Sequence, residues 1–325
     1  MLHWDAEEAT VDPSRSSNGI LKREAKRNLE VAFVNNMPPS AFAAAERQFL
    51  GLVAETSPIP VTCRRFVVPH QVAEFNERQI PGYFDIENIY STTPDAVIVT
   101  GGAPHPGPTE DEPSWDEMAR LLEWACNTAT VVVASCLAAH AAVALFDGLD
   151  RRRLKQKQTG VLLQAVRSHT LLTEGLPAKL HMPQSRFNDV PTELIQSAGY
   201  QIHLASVHFG WTVASKRVGH SELVLMQGHP EYDPSSLLLE YRRDVRRWLE
   251  HAQIDIPRLP NGCAAPVDMR RLEDFHSAIL ANTPVEFPDF ELIARRATAS
   301  WRPHARRIYH NWIGITRDKV SSSVA

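Results

Sequence analysis

The chain has 325 residues, 43% of them hydrophobic, with 34 lysines and arginines against 38 aspartates and glutamates. That is enough for one large domain or two smaller ones around a sizeable core. A formal charge of −4 lacks the basic excess that nucleic acid or an anionic membrane surface would require. The clusters Arg151-Arg152-Arg153 and Arg242-Arg243 with Arg246-Arg247 read as solvated helix faces. No apolar run approaches the ~18–20 residues that a membrane helix needs. Residues 1–28 are polar and mixed in charge, without the apolar stretch of a signal peptide, and are expected to form a flexible arm. The four cysteines, Cys63, Cys126, Cys136 and Cys263, are far apart and include no C-x-x-C pair. This argues against a zinc site or disulfide framework and for a reducing, cytoplasmic setting.

In chain order, Leu29–Asn36 reads as a buried strand and Ser40–Thr56 as a helix, with Phe42, Ala45, Phe49, Leu52 and Val53 at helical spacing. Ile59–Val68 and Asp95–Gly102 are the second and third strands, the latter stopping at a glycine pair. Ser114–Thr128 is an amphipathic helix with Ser114 and Glu117 placed as a capping box. Thr130–Ser135 is a fourth strand, and Leu137–Phe146 is a helix directly after it. Continuous apolar strands alternating with helices predict an α/β fold with a mostly parallel sheet flanked by helices. Residues 160–227 hold shorter strand-like runs, and a strong helix over 233–252 has Asp233 and Pro234 in the N-cap and N1 places. Two helical segments, around 268–282 and 300–318, end the chain.

In such sheets, active sites lie beyond the carboxyl ends of the strands. Gly101-Gly102 and Ser135-Cys136 both fall at such ends. A lone cysteine is most often a small buried hydrophobe, but a strand-to-helix turn would present Cys136 above the sheet, facing the positive end of the next helix. The Leu137 N–H would then point to where an oxyanion develops. A thiol nucleophile needs a base. In "LVLMQGHPEYD" an apolar strand ends at Gly228 and presents His229 and Glu231. Two residues apart in extended chain, the carboxylate can orient the imidazole, giving a candidate set Cys136–His229–Glu231. Spacing alone leaves a loop histidine and a surface glutamate equally open.

A strand, a cysteine elbow and a late strand ending in Gly-His-Pro-Glu resemble the class I glutamine amidotransferase fold. The longer string "GHPEYDPSSLLLEYRRD" (Gly228–Asp244) resembles the homoserine O-succinyltransferase / O-acetyltransferase family of methionine biosynthesis. "NNMP" (Asn35–Pro38), "IVTGGAP" (Ile98–Pro104), "KQTGV" (Lys157–Val161), "MPQSR" (Met182–Arg186) and "SWRPHARRIYHNWI" (Ser300–Ile313) resemble further family segments in the same order. The resemblance covers about residues 30–315 and implies one amidotransferase-like acyltransferase domain over 29–315, with extra C-terminal helices and a tail over 316–325. It implies ping-pong transfer from an acyl-CoA to homoserine through an acyl-cysteine on Cys136, with His229 as base and Glu231 orienting it. Leu137, Gly101 and Gly102 would form the oxyanion hole. Glu240 and Arg243 would hold the amino acid, a carboxylate suiting its ammonium and a guanidinium its carboxylate. Lys157 and Ser185 would line the site, and His105 or Pro106 would stand where the family sets acyl choice. Acyl-CoA would be a co-substrate, with no bound cofactor and no metal. The implied assembly is a homodimer, with small-molecule partners and neither nucleic acid nor membrane.

The elbow itself departs from the family's Trp-Gly-Ala-Gln, reading Leu137-Ala138-Ala139-His140. His140 reads as a structural residue. Neither His105 nor Pro106 matches the residue that goes with acetyl or with succinyl, so the acyl group stays open. So do serine or another hydroxy amino acid as acceptor, a glutamine amidotransferase-like thiol hydrolase, and a non-catalytic protein keeping the fold.

Overall fold

A computed structural model of the chain describes residues 28–68, 80–103, 105–206, 208–252 and 255–323, and the backbone of residues 2 and 3. The strands are β1 (Leu2–His3), β2 (Leu29–Asn35), β3 (Val61–Val67), β4 (Phe84–Asp85), β5 (Ala96–Val99), β6 (Val131–Ser135), β7 (Arg152–Val166), β8 (Lys179–Asp189), β9 (Gln201–Ser206), β10 (Gly210–Val218) and β11 (Ser221–Met226). The helices are α1 (Pro39–Thr56), α2 (Trp115–Thr128), α3 (Leu137–Asp147), α4 (Thr192–Ser197), α5 (Ser236–Leu249), α6 (Pro266–Leu280), α7 (Phe290–Arg296) and α8 (Arg302–Ser323). The arm expected over residues 1–28 lies outside the described residues, except for β1 and Asn28.

All strands join one sheet in the order β1-β3-β2-β5-β6-β11-β10-β9-β7-β8, with β4 beside β3. It is parallel from β1 through β11 and antiparallel from β11 to β8. The parallel part is the α/β fold that the alternation predicts, and both of its faces are covered. Along β2, Val31 and Phe33 join α1 and α8 in one cluster with Phe49, Leu52, Trp301, Tyr309 and Trp312. Ala32 and Val34 point the other way, into a cluster with Leu121 and Leu122 of α2 and Ala138, Ala139, Ala142 and Val143 of α3. The period of two along the strand produces this division. A third cluster joins α5, α6 and α7 through Leu238, Tyr241, Leu272, Phe275 and Phe290. No helix among the described residues is long and apolar enough to cross a membrane.

Two local expectations are corrected, and two elements run further than expected. Ser114 makes no side-chain cap; Trp115 N–H instead donates to Glu112 O at 2.9 Å, because a tight turn over residues 109–111 runs into the helix. The helix expected from Asp233 starts at Ser236, because the Asp233 carboxylate is held by Arg47 at 2.7 Å and Gln48 at 3.3 Å. The strand-like run near residue 160 is part of a 15-residue strand whose register jumps between Arg153 and Gln158. Helix α8 runs to Ser323, past the boundary expected at residue 316, and buries Thr316.

Candidate active site

The chain reverses its lateral direction between β2 and β5, and the cleft opens beyond the carboxyl ends of β2, β5, β6 and β11, as the switch-point rule requires. Its volume is about 470 Å³. Cys136, the residue between β6 and α3, has φ 50° and ψ −105°, a strained conformation for a non-glycine residue. Its N–H donates to Met226 O at 2.8 Å, which ties the elbow to β11. Cys136 is partly exposed in the cleft, whereas Cys63, Cys126 and Cys263 are buried. Burial pushes each of those three thiols up to about 12.

Leu137 is the first residue of α3, and a first-turn N–H has no acceptor within its own helix. Gly101 packs so tightly on the elbow that a Cβ there would sit 3.1 Å from Cys136 Cβ and 3.4 Å from Leu137 N. A Cβ on Gly102 would meet Asn36 O at 3.0 Å. Gly101 and Leu137 thus lie against Cys136, and Gly102 packs on Leu137 and Asn36 beside them.

On the neighbouring strand end, His229 Nδ1 meets Glu231 Oε1 at 2.7 Å. A carboxylate can only accept, so Nδ1 carries the hydrogen and Nε2 is left to accept one. Nε2 is buried without a nitrogen or oxygen partner. Burial opposes charge on the ring, but the Glu231 carboxylate and the adjoining Cys136 side chain push the His229 pKa well above its ordinary value. Gly228 permits this approach: a Cβ there would lie 2.6 Å from Thr212 Cγ2 and 2.7 Å from Gln184 Nε2.

Lys157, Ser185, Glu240 and Arg243 all line the same cleft. The Ser185 hydroxyl donates to Glu240 Oε2, which Lys157 Nζ reaches at 3.2 Å. Lys157 stands in the irregular stretch of β7, outside the regular ladder with β8. Burial works against the Glu240 charge, but Lys157, Ser185, Tyr232 and Arg243 outweigh it and lower the pKa to about 2. Arg243 Nε and Nη2 donate to Asp244 Oδ1 at 3.1 and 2.9 Å, with the side chain 47% exposed towards the cleft.

Pro106 lines the cleft, but His105 does not: its N–H donates to Glu112 at 2.8 Å and its carbonyl accepts from buried Arg151 at 2.8 Å. His140 is buried with Nε2 2.9 Å from Gln227 Oε1, and burial depresses its pKa to about 4. The elbow alanines Ala138 and Ala139 are fully packed.

The sequence reading missed Tyr232 and Asp244. Asp244 takes Lys157 at 2.7 Å and Arg243 on its other oxygen. Tyr232 stacks on the His229 ring with centroids 4.2 Å apart and 22° between planes. Both were visible as neighbours of singled-out residues, in "HPEY" and "RRD", but nothing local distinguishes them. The C-terminal block serves the scaffold: Trp301 Nε1 donates to Tyr232 O at 3.3 Å, and Asn311 Nδ2 to Leu172 O and Glu174 O.

A mostly parallel sheet with a cysteine elbow at one strand end and a histidine at the next defines the class I glutamine amidotransferase-like fold. A solved putative GMP synthase protein from Thermoplasma acidophilum superposes with a TM-score of 0.52 at 12% identity, covering 92% of this chain and 99% of that one, which is a likeness of fold alone. A sequence model of the family described as homoserine O-succinyltransferase matches residues 16–321. This chain belongs to that family. A homoserine O-succinyltransferase of Methylorubrum extorquens is 32% identical over 303 residues, 91% of this chain and 89% of the relative. One from Rhodopseudomonas palustris is 38% identical over 239 residues, 73% of this chain and 72% of the relative.

Proposed function

We propose that this chain transfers a succinyl group from a coenzyme A thioester to the hydroxyl of homoserine, through an acyl-cysteine on Cys136. One observation carries the reading: the Cys136–His229–Glu231 set opens into the cleft that also holds Glu240 and Arg243. A thiol nucleophile with its base and a charge pair suited to an α-amino acid thus share one chamber. Succinyl is preferred because the matching family and both relatives carry that name. Five cations, Arg153, Lys157, Arg186, Arg243 and Arg247, line the cleft and suit the single free carboxylate of a succinyl thioester.

In the first half-reaction, Cys136 Sγ attacks the thioester carbonyl carbon while His229 holds the thiol proton. The oxyanion forms against the Leu137 N–H and the Gly101-Gly102 backbone. The carbon–sulfur bond to coenzyme A then breaks, and the leaving thiolate takes the proton from His229 Nε2. In the second, Nε2 removes the homoserine hydroxyl proton, the oxygen attacks the acyl carbon, and Cys136 departs. Glu231 keeps the imidazole in one orientation throughout. The four free thiols fit a reducing cytoplasm.

Intact mass after incubation with succinyl-CoA or acetyl-CoA, without acceptor, tests the reading. A succinyl adduct on the wild type that is absent from Cys136→Ala is expected. An acetyl adduct alone would transfer the assignment to acetyl; no adduct from either donor, with glutamine hydrolysed instead, would sink acyl transfer.

A further inference from the structure

Tyr232 touches both halves of the site. Its N–H bonds to His229 O at 3.3 Å, closing a turn that folds its ring back onto the imidazole. The two rings stack at 4.2 Å and 22°. Glu231 fixes the imidazole at its edge, through Nδ1, and the Tyr232 ring fixes it at its face. From the same ring, the hydroxyl donates to Glu240 Oε1 at 2.5 Å. The opposite oxygen of Glu240 takes Ser185 and Lys157, so among the described residues Tyr232 is the hydrogen-bond donor to Oε1. The indole of Trp301 donates to the Tyr232 carbonyl and so fixes the backbone that carries the ring.

We propose that Tyr232 is a positioning residue that couples the base to the acceptor site: its ring sets the His229 plane, and its hydroxyl sets the Glu240 carboxylate for the acceptor's ammonium. This rests on the acyl-transfer reading above. The two contacts belong to different half-reactions. The ring serves both Cys136 acylation and acyl release, because His229 acts in each. The hydroxyl serves only the step that uses the amino acid.

Two variants separate them. Tyr232→Phe keeps the ring and loses the hydroxyl; Tyr232→Leu loses both. With succinyl-CoA alone, the rate of Cys136 succinylation, followed by intact mass, should stay within about twofold of wild type in Tyr232→Phe. Its KM for homoserine should rise about tenfold or more, the usual size of a lost hydrogen bond to a charged group. Tyr232→Leu should also slow succinylation about tenfold, a loss that the phenylalanine variant restores. A merely structural tyrosine would lower both half-reactions together in both variants. If Tyr232→Phe keeps the wild-type KM for homoserine, the coupling is wrong, whether or not Tyr232→Leu folds. If the wild type forms no adduct, the acyl-transfer reading falls and the coupling with it.

Discussion

At the scale of single residues, the charges around Glu240 are arranged so that two cations meet two carboxylates. Lys157 bridges Glu240 and Asp244, and Arg243 rests on Asp244 with donors to spare at the cleft. The guanidinium can therefore take a carboxylate without leaving a buried charge unpaired. Arg243→Ala is expected to raise the KM for homoserine by about tenfold or more, with succinylation of Cys136 largely intact. Single-turnover acylation beside steady-state kinetics checks this; loss of both would mean that Arg243 serves the donor as well. Glu240 and Arg243 were legible in the sequence only through the family motif and their spacing of three on a helix. Asp244, their buried partner, has no local mark, because its importance comes from Lys157, 87 residues away.

The elements around the site hold one another by close backbone approach. The elbow is pinned to the end of β11 by the Cys136 N–H, and the loop after β11 passes between Thr212 of β10 and Gln184 and Met182 of β8 at Gly228. Gly228→Ala would push a methyl into the Thr212 methyl, which cannot turn away as a flexible side-chain end could. A destabilisation of about 1–3 kcal/mol is expected, with slower acylation as His229 is displaced. Denaturant unfolding with an adduct time course measures both; wild-type values in each would mean that the neighbours yield freely. The elbow and the His-x-Glu turn were legible because each lies where a local apolar run stops. The start of α5 was not: Asp233 and Pro234 carry a good local start signal, overridden by a side-chain bond to α1 across 186 residues.

At the scale of the whole molecule, His140 and His203 are sealed into the interior as neutral rings. Burial depresses His140 and His203 to about 4, from an ordinary 6.5. The sign follows from proton counting. Between pH 6.5 and 4 the unfolded chain binds protons that the folded chain refuses, so stability is full above about 6.5 and declines as pH falls towards 4. For His140, wholly buried, the decline amounts to at most about 3 kcal/mol. His140→Gln can still bond Gln227 but does not titrate. Its melting temperature should fall less steeply than wild type between pH 6.5 and 4.5, in thermal unfolding followed at several pH values; an unchanged slope would assign the acid sensitivity to other groups.

Local sequence was sufficient for β2, β3, β5, β6 and β11 of the parallel half of the sheet, though not for the short β1 and β4, and for the placing of Cys136, His229 and Glu231 at strand ends. Those features follow from hydrophobic period and from where apolar runs stop, both local along the chain. It took the folded chain to show that β7 to β10 extend the same sheet as an antiparallel wing. The same holds for the insertion of Lys157 from an irregular stretch of β7, the tying of the His105 backbone to Glu112 and Arg151, and the joining of His229 to Glu240 through Tyr232. Each of these depends on partners distant in sequence, whose meeting is set by packing of the whole chain and leaves no periodic or compositional trace.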